Sequence, residues 1–178
     1  LGNAAALADL VVDHRISCVL DLLAFDDDDD YMPILEAFLS QFWTRLKIAK
    51  NVEPWALVVD EAHELLPQQG TTPVSNLLTR FGKQGRHWNI ASIFATQRPA
   101  SLNKDWLTQA GMIVAHQLML GNDTKILTER LPMSNREVNA MMQQLVPGEA
   151  VIVGRKSLTG TIGHRRVQVI MPDNLPDD

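Results

Sequence analysis

Two adjacent carboxylates, Asp60 and Glu61, directly follow a run of apolar and β-branched residues at 56–59. Such a run is typical of a strand that is buried on both faces of a parallel sheet. Ligands of parallel α/β sheets bind at the carboxyl ends of the strands, where both acids would lie. One carboxylate there could hold Mg²⁺, and a second could polarise a water that attacks a phosphate. Alternatively, the acids cap a helix that begins near Glu61, and the pair alone leaves both interpretations open.

A polar triplet, Thr96-Gln97-Arg98, follows the next predicted buried strand at 90–95. If this strand lies beside the first one, its end would bring the side-chain amide of Gln97 close to Glu61. An amide in that place could hold the attacking water or sense the terminal phosphate. Taken alone, the triplet is equally typical of an ordinary polar strand end.

A basic cluster precedes the strand at 90–95, and Gly85 lies within it. An arginine on such a glycine-bounded turn is free to reach the phosphates held by another subunit. A charge cluster of this kind is otherwise typical of a solvated helix end. The members of the cluster are Arg80, Lys83, Arg86 and His87.

Length and composition limit the classes of protein that the chain can form. Its 178 residues suit one domain with a substantial core. The net charge of -5 excludes a surface that binds nucleic acid everywhere, so any DNA contact must come from local basic patches or from assembly. Cys18 is the only cysteine, which excludes an internal disulfide. No signal peptide or apolar run of membrane-spanning length is visible, and we expect a cytoplasmic protein without a membrane partner.

Strands alternate with helices along the chain, which predicts an α/β fold with a mainly parallel sheet covered on both faces. We expect residues 1–171 to form a single domain and 172–178 to be a disordered tail. The acidic run at 26–30 is predicted to be a solvated loop and helix N-terminus. The predicted strands are 16–22, 56–59, 90–95, 112–118, 149–153 and 167–170. The predicted helices are 4–12, 34–46, 61–66, 74–83, 101–110 with Ser101 as its cap, 123–131 and 134–145.

Three segments resemble one known family and follow each other in the same order as in that family. They are LVVDEAHELLP, GKQGRHWNIASIFATQRPASL and LVPGEAVIVG, and they are similar to the HerA-like branch of the FtsK/HerA P-loop ATPases. The DEAH tetrapeptide alone is a weak signal, whereas ATQRP after a Gly-Arg turn is fairly specific. The resemblance implies a RecA-like three-layer sandwich with ATP and Mg²⁺ as cofactors. It also implies a hexameric ring that acts on DNA as a translocase or helicase, with a nuclease as a further partner.

The resemblance also implies roles for individual residues. Asp60 and Glu61 would be the Walker B pair, with Asp60 as the Mg²⁺ ligand, directly or through water, and as a nucleotide-binding residue. Glu61 would be catalytic, and Gln97 would be the sensor residue. Arg86 would be the arginine finger, and Arg98 would bind the nucleotide.

The chain departs from the family at the phosphate loop. The motif G-x-x-x-x-G-K-[ST] provides the backbone amides that cradle the phosphates. This motif is absent, and Gly2 is the only glycine before Gly70. The N-terminal barrel domain of the DNA-translocating family is also missing from this sequence. We therefore expect the C-terminal portion of an ATPase domain that lacks its first strand and is inactive by itself. A naturally truncated relative is the alternative.

The sequence leaves one other function open and argues against two. A degenerate, non-hydrolysing ATPase-like domain that serves as an assembly or docking module remains open. A two-lobed DEAH helicase is disfavoured, because the chain has no room for a second lobe. A zinc peptidase is excluded, because the second histidine of H-E-x-x-H would have to stand where Pro67 follows His63 and Glu64.

Overall fold

The computed structural model describes residues 2–22, 25, 28–49, 53–118, 121–154 and 163–169. They form two compact units, the first of 1–97 with 101–106 and the second of 98–100 with 107–178. The predicted tail at 172–178 and the side chains of the acidic run at 26–30 lie outside the described residues. Among the helices that the structure describes, none combines the length and the apolar character needed to span a bilayer.

Apart from the predicted strand at 16–22, the helices and strands follow each other in the order that the sequence predicts, with shifted boundaries. In the first half of the chain they are α1 Gly2–His14, α2 Asp28–Ala49, β1 Trp55–Val59, α3 Ala62–Leu65, α4 Pro73–Gln84 and β2 Ile90–Phe94. They continue with α5 Lys104–Gln109, β3 Met112–Ala115, α6 Gly121–Thr128, α7 Asn135–Gln143, β4 Glu149–Gly154 and β5 Gly163–Gln168. Two 3₁₀ turns, Gly85–Trp88 and Pro99–Ser101, lie between these elements.

Aromatic side chains fill the core of the first unit. Helix α2 packs against both α1 and α4, and its apolar residues recur at the predicted helical spacing. The ring of Trp43 contacts that of Phe81 edge-on at 4.9 Å, and Phe42 contacts Trp55 of β1 at 5.5 Å. The helices thereby hold one face of the sheet and fix the direction of β1.

Strands β1 and β2 pair in parallel, with Trp55 opposite Ile90 at one end and Val59 opposite Phe94 at the other. The two strands are confirmed, but the prediction that both of their faces are buried is wrong. Val58 is 63% exposed and its cross-strand partner Ile93 is 54% exposed. Helices pack on the opposite face, and no described element of this unit covers the face that carries these two side chains.

The predicted strand at 16–22 is also wrong. This segment is irregular, pairs with no described strand, and leaves Val19 91% exposed. Helix α1 ends just before it, with Arg15 in the left-handed region at φ 53° and a hydrogen bond of 3.2 Å from the Ile16 N–H to the Val11 carbonyl. This six-to-one bond terminates the helix. An apolar run becomes a strand only where a neighbouring strand completes its hydrogen bonds, and the described residues provide none here.

The second unit contains a three-stranded antiparallel sheet in the order β3-β4-β5. The predicted majority of parallel pairs is therefore wrong for the described strands, which form one parallel pair and two antiparallel pairs. The connection 155–162 between β4 and β5 is too short for a parallel crossover, which needs about a dozen residues or more. The α/β class itself is confirmed. The buried core of this unit includes Ala115, Leu127, Val138, Met142 and Val151.

Two helix starts in the second half of the chain are capped by side chains. Ser134 caps α7, and Glu137 completes a reciprocal capping box with it. Ser101 does not cap α5, which begins only at Lys104. The Asn103 side-chain oxygen accepts from the Trp106 N–H at 3.3 Å instead, so this asparagine replaces the predicted serine as the cap.

An ion pair ties the last two strands to the end of α7. The Glu149 carboxylate accepts from Arg166 Nε at 3.1 Å and from the Val146 N–H at 2.9 Å. Arg166 also donates to the Gln144 carbonyl at 3.1 Å. The hydrogen bond from Arg166, and after it the one from Val146, hold the pKa of the Glu149 carboxyl below its ordinary value.

This lowered pKa predicts a pH-dependent contribution to stability. Because the folded state holds the carboxylate more firmly than the unfolded chain does, the contribution is present above the unfolded value, about 4.5. It is lost as pH falls through the lower folded pKa. We expect Glu149→Gln to be less stable than the parent in denaturant unfolding at pH 7, and the difference to shrink below about pH 4.5. Glu129→Gln, at an exposed turn, is the matched control. A Glu149→Gln difference that stays constant with pH would contradict this contribution.

Candidate functional site

The parallel register places the ends of β1 and β2 at the same edge of the sheet. Backbone pairing continues beyond both strands, because the Ala95 N–H donates to the Val59 carbonyl at 2.9 Å. The Ala62 N–H then donates to the Ala95 carbonyl at 2.8 Å. These two hydrogen bonds bring residues 60–62 next to residues 95–97. The candidate site is therefore built on backbone geometry that the sheet itself fixes.

Glu61 has an unusual backbone conformation at this edge. Its φ of 43° and ψ of 45° lie in the left-handed region, which costs a residue other than glycine roughly 1–3 kcal/mol. The Glu61 N–H donates to Asp60 Oδ1 at 2.9 Å. Glu61 occupies the N-cap position of α3, yet its side chain makes no capping hydrogen bond. The helix-cap interpretation of the Glu61 side chain is therefore wrong, and strain of this kind clusters at functional sites.

The Glu61 carboxylate is 41% exposed and is contacted from two sides. Its Oε2 atom lies 3.4 Å from the backbone N–H of Gln97 and 3.3 Å from Nδ1 of His63. The structure thus places Gln97 beside Glu61, but through its backbone N–H, while the residue itself is exposed. Within the described part of the chain, every hydrogen bond or ion pair of this carboxylate involves Oε2. None of these contacts uses Oε1, which leaves that oxygen available to a water.

Two polar residues to which the sequence analysis gave no role, His63 and Thr96, lie within the site. The His63 ring, only 11% exposed, has Nδ1 3.0 Å from the Thr96 hydroxyl and Nε2 3.0 Å from Oε1 of Glu64. The sequence drew attention to His63 only as a possible zinc ligand. Its position two residues after Glu61, with a threonine ending the neighbouring strand, was the signal that could have identified the pair.

Of the two arginines singled out from the sequence, Arg86 lies away from this edge, whereas Arg98 directly follows Gln97 in the chain. Arg86 is exposed on the 3₁₀ turn that precedes β2, at the edge where the Trp55 N–H donates to the Asn89 carbonyl at 2.8 Å. Five residues of β2 separate this edge from that of Glu61. At a rise of 3.3 Å per residue, the distance between the two edges is about 16 Å. Arg86 is therefore too far to contact Glu61 of its own chain. Arg98 is exposed and belongs to the second unit.

The site has few groups that could hold a metal. Among the described residues, no three histidine, cysteine or acidic side chains form a metal-binding group. Asp60 is exposed, and its Oδ1 already accepts from the Glu61 N–H. Mg²⁺ commonly takes one or two carboxylates and completes its octahedron with waters and substrate phosphates. Asp60 therefore fits a Mg²⁺ that arrives with a nucleotide, rather than one held by the protein alone.

Curated relatives match the chain at low identity over part of their length. The DNA double-strand break repair helicase HerA of Sulfurisphaera tokodaii is 26% identical in an alignment of 134 residues that covers 72% of this chain and 27% of that protein. The HerA of Saccharolobus solfataricus is 24% identical and covers 77% of this chain and 28% of its own length. The chain thus spans about a quarter of these relatives. No family model matches it.

Solved structures of packaging ATPases from two Sulfolobus viruses share the fold of this chain. The genome packaging NTPase B204 of Sulfolobus turreted icosahedral virus 2, in complex with ATP-gammaS, superposes with a TM-score of 0.61 at 19% identity. This match covers 92% of this chain and 72% of the viral one. The DNA-packaging ATPase B204 of Sulfolobus turreted icosahedral virus gives a TM-score of 0.59 and covers 93% and 88%, respectively, at 17% identity.

These matches agree with the motifs in the sequence and with the strand-end carboxylates. The chain is similar in sequence to HerA helicases and shares its fold with viral packaging ATPases, so the predicted resemblance to the HerA-like branch of the FtsK/HerA ATPases is confirmed.

Proposed function

We propose that this chain is part of an ATP-driven DNA translocase or helicase motor of the HerA/FtsK type. Its similarity to DNA double-strand break repair helicases supports a helicase, and the fold that it shares with packaging ATPases supports a nucleotide-driven motor. In this proposal the described strands belong to a larger RecA-like three-layer sandwich, completed by the strand and phosphate loop whose motif the sequence lacks. ATP and Mg²⁺ are its cofactors.

The strained Glu61 at the shared strand edge is the observation that carries the proposal. A carboxylate with Oε2 tethered and Oε1 left available is suited to polarise a water for attack on a terminal phosphate. Asp60 would hold the Mg²⁺ that screens the phosphate charge. Gln97 follows β2 at the same edge and would sense the terminal phosphate. Arg98, next in sequence, would contact the nucleotide.

The distance of Arg86 from this edge supports a role across a subunit interface. An arginine finger must reach the phosphates, and Arg86 cannot do so at the Glu61 of its own chain. In a ring, the same residue would point at the nucleotide of the neighbouring subunit. We therefore propose a homo-oligomer, a hexamer by resemblance to the family, which acts on DNA and cooperates with a nuclease. The net charge of -5 also favours DNA binding through assembly rather than by the isolated chain.

A non-hydrolysing assembly module is the second candidate function. The absence of a phosphate-loop motif from the sequence favours it, because Asp60 and Glu61 would then face no bound triphosphate. Turnover that depends on Glu61 separates the two functions, since a docking module would be indifferent to that carboxylate.

Replacement of Glu61 by glutamine is expected to stop turnover without loss of nucleotide. In the intact protein, by which we mean the complete motor subunit with its phosphate loop, Glu61→Gln keeps the shape of the side chain. It removes the charge that polarises the water. Steady-state phosphate release should fall by about 10²–10⁴-fold, while the Kd for ATP measured by calorimetry stays within about twofold of the parent. Glu36→Gln, an exposed glutamate of α2, is the matched control. If Glu61→Gln hydrolyses ATP within a factor of about two of the parent, Glu61 has no part in the chemistry.

Replacement of Arg86 is expected to give subunits that assemble and bind ATP but barely hydrolyse it. A guanidinium contacts two phosphate oxygens at once, which neither alanine nor lysine can do. Both Arg86→Ala and Arg86→Lys should therefore lose most of the hydrolysis rate. Supplied from a neighbour, such a group contributes about 10³–10⁵ in rate. Phosphate release and native mass spectrometry together measure rate and assembly. Arg136→Ala, an exposed arginine of α7, is the control for loss of positive charge.

Mixing the two inactive variants tests whether Arg86 acts across the interface. Rings made from Arg86→Ala and Glu61→Gln subunits contain some interfaces that pair an intact Arg86 with an intact Glu61. Activity should therefore return when the subunits exchange. Mixed rings that remain inactive, although exchange is demonstrated with labelled subunits, would show that Arg86 acts within its own subunit or is structural.

A further inference from the structure

His63 lies between the ends of two strands and contacts polar groups from both. Its ring is only 11% exposed, in contrast to the half-exposed carboxylates beside it. Nδ1 faces the Thr96 hydroxyl at 3.0 Å and Oε2 of Glu61 at 3.3 Å. Nε2 faces Oε1 of Glu64 at 3.0 Å. The ring therefore joins the segment after β1 to the segment after β2 through side chains.

The hydrogen-bonding roles follow from the chemistry of the partners. The Glu64 carboxylate only accepts, so Nε2 carries a proton and donates to it. Nδ1 is then free to accept from the Thr96 hydroxyl, or, when it too is protonated, to donate to Oε2 of Glu61. The first state places two acceptors, Nδ1 and Oε2, at 3.3 Å and forms no hydrogen bond between them. The ring therefore orients the Glu61 carboxylate in the second state, in which the Thr96 oxygen can accept from the same N–H.

An exposed glutamate without such contacts samples several rotamers. The water that it activates would then occupy several positions relative to the phosphate. Here the Gln97 N–H and the His63 ring both meet Oε2 of Glu61. Those contacts restrict the carboxylate and leave Oε1 for the water. Orientation of a reacting group matters strongly, since a misplacement of about 1 Å can lower a rate by about 100-fold.

We propose that His63 is a positioning residue for Glu61, and that with Thr96 it links the carboxylate to the end of β2. Because Gln97 follows Thr96 directly, a shift of this strand end on sensing the terminal phosphate would reorient the carboxylate on the neighbouring strand. The proposal rests on the proposed function of Glu61, and its geometry rests on the contacts of the ring.

Kinetics of the intact protein test the link through matched pairs of variants. Thr96→Val keeps the shape and removes the hydroxyl, and His63→Leu removes both ring nitrogens. Each should lower kcat by about 10- to 100-fold, with the KM for ATP within about twofold of the parent, because orientation rather than binding is lost. Thr96→Ser restores the hydroxyl and should recover most of kcat. Thr71→Val, at an exposed loop position, is the control for loss of a threonine hydroxyl.

The double variant distinguishes a shared link from two independent effects. If His63 and Thr96 act through one contact, Thr96→Val should add little to the loss already caused by His63→Leu. Losses that multiply, a Thr96→Ser variant as slow as Thr96→Val, or a change in KM alone would overturn the proposal. Circular dichroism of each variant excludes loss of folding as the cause.

Imidazole ¹⁵N NMR of the 178-residue chain tests the contact without turnover. The Nδ1 resonance of His63, assigned by its absence from His63→Leu, should shift in both Thr96→Val and Glu61→Gln and remain in place in Thr71→Val. A resonance that ignores both substitutions would overturn the proposal. Should Glu61→Gln turn over like the parent, the proposed function fails, while the NMR result still decides whether the ring contacts the carboxylate.

Discussion

The parallel pairing of β1 and β2 is the interaction on which the candidate site depends. It does not stop at the last strand residues, because the Ala95 N–H and carbonyl bond to Val59 and Ala62 in turn. This pairing holds the segment 60–62 against the segment 95–97. The chain therefore turns sharply between Val59 and Ala62. Glu61 adopts its left-handed conformation at that turn. Register in the sheet thus determines which polar groups meet at its edge.

The strain at Glu61 costs roughly 1–3 kcal/mol and must be offset by its surroundings. Backbone hydrogen bonds on both sides of the turn and the packing of α3 contribute, since Ala62, Leu65 and Leu66 are all buried. The carboxylate that results is exposed, while the ring that supports it is nearly buried. The exposed Glu61 carboxylate would meet the substrate, and the nearly buried His63 ring would hold that carboxylate in place.

Much of this arrangement could be predicted from the sequence, because local patterns carry it. The apolar run at 56–59 followed by two acids predicted β1 and the position of Glu61. The polar triplet after 90–95 predicted that Gln97 would lie at the same edge. The sequence could not predict which atom of Gln97 faces Glu61. The place of a residue in the chain does not determine whether its backbone N–H or its side-chain amide lies closer to a neighbour.

Other features depend on neighbours that are distant in sequence. The segment 16–22 has the composition of a strand, yet composition measures a preference for burial and not the presence of a pairing partner. The antiparallel sheet depends on where β5 begins, because the predicted strands 149–153 and 167–170 leave about a dozen residues between them, enough for a parallel crossover. In the structure β5 begins at Gly163, and the connection 155–162 is too short for one. The contact of His63 with Thr96 joins residues far apart in the chain, and it becomes visible only once the register of β1 and β2 is known.

In the proposed motor, Glu61 faces the water that attacks a bound triphosphate. A crystal structure of the intact protein with Mg²⁺ and a non-hydrolysable ATP analogue tests it most directly. We expect Oε1 of Glu61 within about 3.2 Å of a water in line with the terminal phosphate, with Mg²⁺ on the side of Asp60. A nucleotide bound elsewhere, or a Glu61 carboxylate turned away from the phosphates, would contradict the claim.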